Sequence, residues 1–255
     1  MDHIIRRPSM LLLLSEPSRA LLEWGLNIPF GGFKKKEKTG DGHPVLVMPG
    51  FMSSARSTSF LRKYIAGLGY DVYDWGLGRN VGKIEFLELL IEKIDEIYTT
   101  TGEQVSLVGW SLGGVFARQV AKERPEQIRQ VITLGSPFSG LTEPNNAAWL
   151  YSLITGGKKV KNVNQTFLED LPLPAPVPTT AIYSKEDGVV PWKMCLEKNE
   201  DEIHQNIQVR GSHIGLGLNP SVLSIIENRL KQSTENWTKF KKRGLLNKYV
   251  FFPNH

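Results

Sequence analysis

The chain has 255 residues, 40% of them hydrophobic and 22% charged, with a formal net charge of +5. That length suits one α/β domain with a large core, and the composition is that of a folded protein. The single cysteine, Cys195, excludes an intramolecular disulfide framework and belongs to no cluster with metal-ligand spacing. Two basic runs, at 34–38 and 239–243, lack the interleaved aromatics and fold motif of a nucleic-acid reader. No nucleic-acid partner is expected, and attraction to an anionic membrane surface stays open.

Residues 8–27 read as a helical N-terminal extension whose Leu21, Leu22, Trp24 and Leu26 would pack on the domain or on a lipid surface. Its five-residue run at 10–14 is shorter than the roughly 7–15 residues of a signal-peptide core. A cytoplasmic location is therefore expected, with membrane association as the alternative. Residues 31–44 read as a connector. A buried strand at 44–48 ends in the Pro49-Gly50 turn, a helix follows at 56–68, and a strand at 69–74. Apolar positions 84, 87, 90, 91, 94 and 97 make 83–98 an amphipathic helix. A strand at 104–108 leads into a helix at 112–123. Further strands fall at 128–134, 179–183 and 207–209, and a last helix at 220–230. Strands alternating with helices predict a mostly parallel sheet covered on both faces. Residues 139–178 are too long for a plain connection and read as a small cap. The organisation expected is an extension and connector at 1–41, a core at 42–232 and a tail at 233–255.

The most informative stretch is Gly109-Trp110-Ser111-Leu112-Gly113. This is G-x-S-x-G between a strand and a helix, the context that gives the motif its meaning. Side chains at Gly109 and Gly113 would collide with the neighbouring strand and helix. The turn would hold the Ser111 hydroxyl at the sheet's carboxyl edge, at a helix N-terminus. A serine hydroxyl needs a base within hydrogen-bond reach, and the base needs an orienting carboxylate. Asp187 follows the strand at 179–183, and His213 follows the strand at 207–209. Glu186 and Asp170 are the rival acids, and His204 is the rival base. An oxyanion would need two backbone donors, and the N–H groups of Leu112 and Phe51 are suited to this. Met52, Trp110, Arg79 and Trp149 are candidate substrate contacts. Trp75 and Asn80 fall near the same edge.

The order Ser111, Asp187, His213 resembles that of the α/β-hydrolases, over about residues 42–230. The chain looks most like the bacterial lipase and esterase branch. Pro49 stands where those enzymes usually carry the histidine of a His-Gly-x oxyanion loop, which leaves the backbone donor in place but alters the loop's hydrogen bonding. The stretches at 74–80, 134–137 and 213–220 resemble a group of bacterial proteins described only as α/β-hydrolases. The resemblance implies an α/β-hydrolase fold and a serine esterase or lipase acting without cofactor or metal on a small lipophilic ester. An acyltransferase would use the same residues, a perhydrolase-like activity would fit the same site, and a non-catalytic binding protein on this fold is the reading from another class.

Overall fold

The computed structural model describes residues 7–30, 38–139, 169–233 and 235–241. Among these, six strands form one all-parallel sheet: β1 (Pro44–Met48), β2 (Asp71–Asp74), β3 (Val105–Trp110), β4 (Ile128–Leu134), β5 (Thr179–Ser184) and β6 (His204–Val209), in the order β2-β1-β3-β4-β5-β6. Five α-helices accompany them: α1 (Met10–Phe30), α2 (Ser59–Gly67), α3 (Phe86–Thr101), α4 (Leu112–Glu123) and α5 (Pro220–Leu230).

Alternation along each strand divides the core in two. Leu46, Met48, Leu107 and Ala181 face α3 and α4, with Leu90, Ile94, Phe116 and Val120 against them. Val45, Val47, Val108 and Ile132 face α2 and α5, with Ile65, Leu68, Val222 and Ile226 against them. A sheet buried on both faces requires apolar side chains at successive positions, which is why these strands read as continuous hydrophobic runs.

Strand order fixes where a site can form. The chain passes from β1 outward to β2 and then back across β1 to β3. The order therefore reverses between β1 and β3, whose ends are in register at Met48 and Gly109. The segments leaving the two strands emerge side by side, the crevice where ligands bind in open α/β sheets.

The expected strands and helices are present among the described residues, several with shifted ends. Helix α2 starts at Ser59 because residues 56–58 turn instead: Ser57 N–H donates to Ser54 O at 2.9 Å, and Thr58 Oγ1 donates to Ala55 O at 3.1 Å. Helix α3 starts at Phe86 after a turn in which Phe86 N–H donates to Lys83 O. Strand β6 begins at His204 rather than 207, because the polar residues His204 and Asn206 are buried and satisfied. His204 Nε2 bonds Ala175 O at 2.8 Å, and Glu197 N–H donates to Asn206 Oδ1 at 2.8 Å. Of the expected cap, residues 140–168 lie outside the described residues. Its final stretch packs as core, with Leu171, Ala175 and Val177 buried beneath α3 and α4.

Candidate active site

Ser111 stands between β3 and α4 with φ 53° and ψ −122°. A positive φ at a non-glycine residue costs on the order of 1–3 kcal/mol and persists only where the surroundings over-determine it. They do so here. Ser111 N–H donates to Leu134 O at 2.8 Å, and Gly114 N–H returns to Ser111 O at 3.0 Å. A Cβ on Gly113 would lie 2.5 Å from Met48 O, and one on Gly109 would strike the backbone of Gly114. The elbow therefore closes only with glycine at both motif positions.

The segment leaving β1 abuts the elbow. A Cβ on Gly50 would stand 3.2 Å from Ser111 Cβ. Met52, the other described non-glycine residue with positive φ (58°), is in this segment. Asn80, fully buried, holds it: its Nδ2 donates to Pro49 O at 2.8 Å, its O accepts from Met52 N–H at 2.7 Å, and its N–H donates to Ser53 O at 2.8 Å. Sequence reasoning placed Asn80 near this edge without a role; the structure makes it the clamp of the Pro49–Ser53 turn. Among the described residues, neither Phe51 N–H nor Leu112 N–H donates to a protein acceptor.

Asp187 and His213 meet on the same edge. His213 Nδ1 lies 2.6 Å from Asp187 Oδ2, and both residues are buried. Asp187 Oδ1 accepts from Val189 N–H (2.8 Å) and Val190 N–H (2.6 Å), which fixes the carboxylate plane. The proton on Nδ1 is assigned from this partner, leaving Nε2 to accept. Burial alone would push the His213 imidazole down. The charge and hydrogen bond of Asp187, with the charge of Glu16, hold it above the usual histidine range. A Cβ on Gly135, at the end of β4 beside the elbow, would stand 3.1 Å from both Asp187 Oδ2 and His213 Nδ1. The indole of Trp110 donates from Nε1 to His213 O at 3.1 Å. Among the described residues no hydrogen bond joins Ser111 Oγ to His213; bonds of this kind often tighten only with substrate.

The other candidates sort by position. Met52 is exposed beside the elbow. Trp110 is turned toward the His213 segment. The backbone of Arg79 bridges Ser54, and its side chain is exposed without a hydrogen bond among the described residues. Trp75 is fully buried and donates to Gly78 O at 2.9 Å. Trp149 lies outside the described residues. Asp170 pairs with Lys122 at 2.8 Å, and His204 pairs with Asp201 at 2.8 Å, each away from Ser111.

The residues that sequence reasoning missed come from α1. Glu16 is buried, and its Oε1 accepts from Gly188 N–H (2.7 Å) and His213 N–H (3.0 Å), while Oε2 accepts from Ile214 N–H (2.8 Å). One carboxylate thus ties the segment carrying Asp187 to the segment carrying His213. Glu23 continues the strap: Ser212 N–H donates to Oε1 at 2.7 Å and Asn219 Nδ2 to Oε2 at 2.9 Å. Burial raises the Glu23 carboxyl above its usual value against these hydrogen bonds. Asn27 Nδ2 reaches Leu218 O at 2.6 Å, and Arg19 donates to Glu186 O at 2.8 Å. Gly188 is needed because a Cβ there would meet the Leu12 backbone at 2.5 Å. The signal was present as polar residues 16, 19, 23 and 27 at helical spacing inside an otherwise apolar segment.

A second Ser-His-Asp set lies at the opposite edge of the sheet. His43 Nδ1 is 2.5 Å from Asp41 Oδ1, and His43 Nε2 is 2.8 Å from Ser106 Oγ. The histidine–aspartate contact is as close as that of the first set, and here the serine is hydrogen-bonded to the histidine as well. Yet Ser106 is inside β3, fully buried, and Gln130 Nε2 contacts its oxygen at 3.4 Å. Burial, with Arg129 nearby, pushes the His43 imidazole below its usual value despite Asp41. A serine with no access to solvent and no adjacent turn of free N–H donors is a structural hydrogen-bond relay.

Comparison with solved structures bears on the fold. A metagenome-derived lipolytic enzyme from a study of LipS and LipT superposes with TM-score 0.54 at 18% identity, covering 74% of this chain and 92% of that one. The chain has the α/β-hydrolase fold. Other chains sharing this hydrolase fold are Aspergillus fumigatus lipase B (TM-score 0.59, 18% identity, 76% of this chain and 54% of that one) and Paleococcus ferrophilus monoacylglycerol lipase (0.53, 16%, 74% and 93%). The chain thus spans about half the length of the Aspergillus enzyme. Residues 77–168 match the model of the PGAP1-like alpha/beta domain, a stretch that includes the elbow. No curated protein sequence matches the chain.

Proposed function

We propose that this α/β-hydrolase cleaves carboxylic esters through an acyl-enzyme on Ser111. The observation that carries the reading is the strained Ser111 elbow at the β1/β3 crevice, with the Asp187–His213 pair 2.6 Å apart on the same edge. Ser111 Oγ attacks the acyl carbonyl carbon while His213 Nε2 takes the hydroxyl proton. Asp187 holds the ring in the tautomer that accepts at Nε2 and stabilises the imidazolium. The N–H groups of Phe51 and Leu112 receive the oxyanion. His213 then returns the proton to the leaving alcohol. Water, deprotonated by His213, attacks the acyl-enzyme and releases the acid.

A lipophilic ester is the substrate class this reading favours. The lipases among the structural neighbours and the exposed Met52 beside the elbow support it. The test is hydrolysis of p-nitrophenyl esters from acetate to palmitate, with fluorophosphonate labelling in parallel. The wild type is expected to turn over and to label once. Ser111→Ala should abolish labelling, and His213→Ala should lower kcat by at least about 10³-fold. A folded wild type that neither labels nor turns over would overturn the reading. Labelling without turnover would point to an acyl acceptor other than water.

A further inference from the structure

We infer that the outer face of α1 docks the protein, in the plane of the surface, on a bilayer containing anionic lipid. Helix α1 is inverted relative to an ordinary surface helix, which buries its apolar stripe and exposes its polar one. Here Glu16, Ala20, Glu23 and Asn27 are buried, while Leu11 (80% exposed), Leu14 (72%), Leu21 (66%) and Leu22 (69%) face outward. Of the thirteen large hydrophobic residues exposed among the described residues, eight are in this one helix. The hydrogen bonds made by Glu16 and Glu23 fix that orientation, because turning the leucines inward would strand two carboxylates and the backbone N–H groups they serve.

Charge and shape select the occupant. Both acidic residues of the helix are buried, so its outer face carries no negative charge. Exposed Arg7 precedes the helix and exposed Lys38 follows it; in the sequence Arg6 precedes Arg7, and Lys34-Lys35-Lys36-Glu37, itself net positive, precedes Lys38. An apolar face without acids, bounded by cations, complements an anionic bilayer surface. At about 100° per residue the exposed apolar positions, from Leu13 round to Leu26, sweep about 220° of the helix. A rigid partner or a second copy covers one side of so convex a cylinder, whereas lipid chains close around it. Trp24, about 43% exposed at the border of the face, is suited to the headgroup level. No described helix is long and apolar enough to cross a membrane, so the helix would lie in the interface. The inference does not depend on Ser111 being a nucleophile.

Flotation of the full chain with vesicles tests this, comparing pure phosphatidylcholine with phosphatidylcholine containing 30 mol % phosphatidylglycerol, the composition being an experimental choice of about the anionic content of biological surfaces. The wild type should float with the anionic vesicles and much less with the neutral ones. Leu14→Glu/Leu21→Glu, at the centre of the outer face, should reduce flotation at least about tenfold while the circular-dichroism melt stays that of a folded protein. Arg7→Glu/Lys38→Glu should remove the preference for anionic vesicles. Three results would each overturn the proposal: no flotation of the wild type, flotation unchanged in the leucine variant, or a stable dimer by light scattering that does not float. Equal flotation on neutral and anionic vesicles would overturn the choice of an anionic surface.

Discussion

Ser106 and Ser111 share the same stretch of chain, each near a histidine that is itself paired to an aspartate, and only their surroundings separate them. The Asp41–His43–Ser106 relay is the fully hydrogen-bonded one, yet its serine is inside a strand and cannot meet a substrate. Ser111 sits on a turn with positive φ beside two backbone donors without protein acceptors. Access and strain are the reasons the proposed chemistry is placed on Ser111 rather than on Ser106. Ser106→Ala is expected to leave fluorophosphonate labelling intact and to lower stability by about 1–3 kcal/mol, since His43 Nε2 would lose its buried partner. Labelling and urea unfolding of the same sample check both halves. Loss of labelling in a folded Ser106→Ala would assign the chemistry to the wrong edge.

At the scale of the element, α1 is a strap across the two segments that carry Asp187 and His213. Glu16 supplies hydrogen bonds to both and a negative charge that helps keep His213 above the usual histidine range. A general base must be neutral, so kcat/KM should rise with pH through a midpoint above about 6.5, the ordinary histidine value. Glu16→Gln removes the charge and leaves one oxygen as an acceptor. The midpoint should move to lower pH, and kcat/KM on the plateau should fall about tenfold or more as the ring loses its position. A variant that melts earlier but keeps the midpoint would reduce Glu16 to a packing role. The sequence shows a helical extension and leaves its leucines facing either the domain or a lipid surface, but it gives Glu16 no role, because a buried carboxylate on a leucine-rich helix runs against ordinary amphipathic patterning. Elements whose side chains follow that convention were legible: β4 and α5 were placed to the residue, as was α4, bounded by the elbow and Pro125. Strand β6 is three residues longer than its apolar pattern implies, since His204 and Asn206 are polar yet buried. The candidate site was legible because its chemistry is written in types that little else demands: glycines flanking a serine, and an aspartate and a histidine each just past a strand. Asn80 donates to a backbone carbonyl and Glu16 accepts from backbone N–H groups, partners that residue type alone does not specify.

In the whole molecule, the pieces behind the site are joined by a buried ion pair. Arg118, on α4 and fully buried, pairs with Glu197 after β5, donates to Leu173 O at 2.8 Å, and lies 3.8 Å over the Phe138 ring. It thus links the helix behind Ser111 to the end of the cap segment and to the β5–β6 connection. Burial lowers the Arg118 guanidinium to about 9, against the raising charge of Asp170. A buried pair of this kind is held by mutual compensation more than by net gain, because desolvation offsets much of the attraction. Glu197→Ala should therefore cost about 3–5 kcal/mol, since it leaves Arg118 charged and alone in the core. Replacing both partners, as Arg118→Met/Glu197→Leu, should recover most of that loss, because no uncompensated charge remains. Urea unfolding of the three variants and a double-mutant comparison decide it. If the double variant is as unstable as Glu197→Ala, the contacts of Arg118 with Leu173 O and Phe138, rather than charge compensation, set the stability of this region.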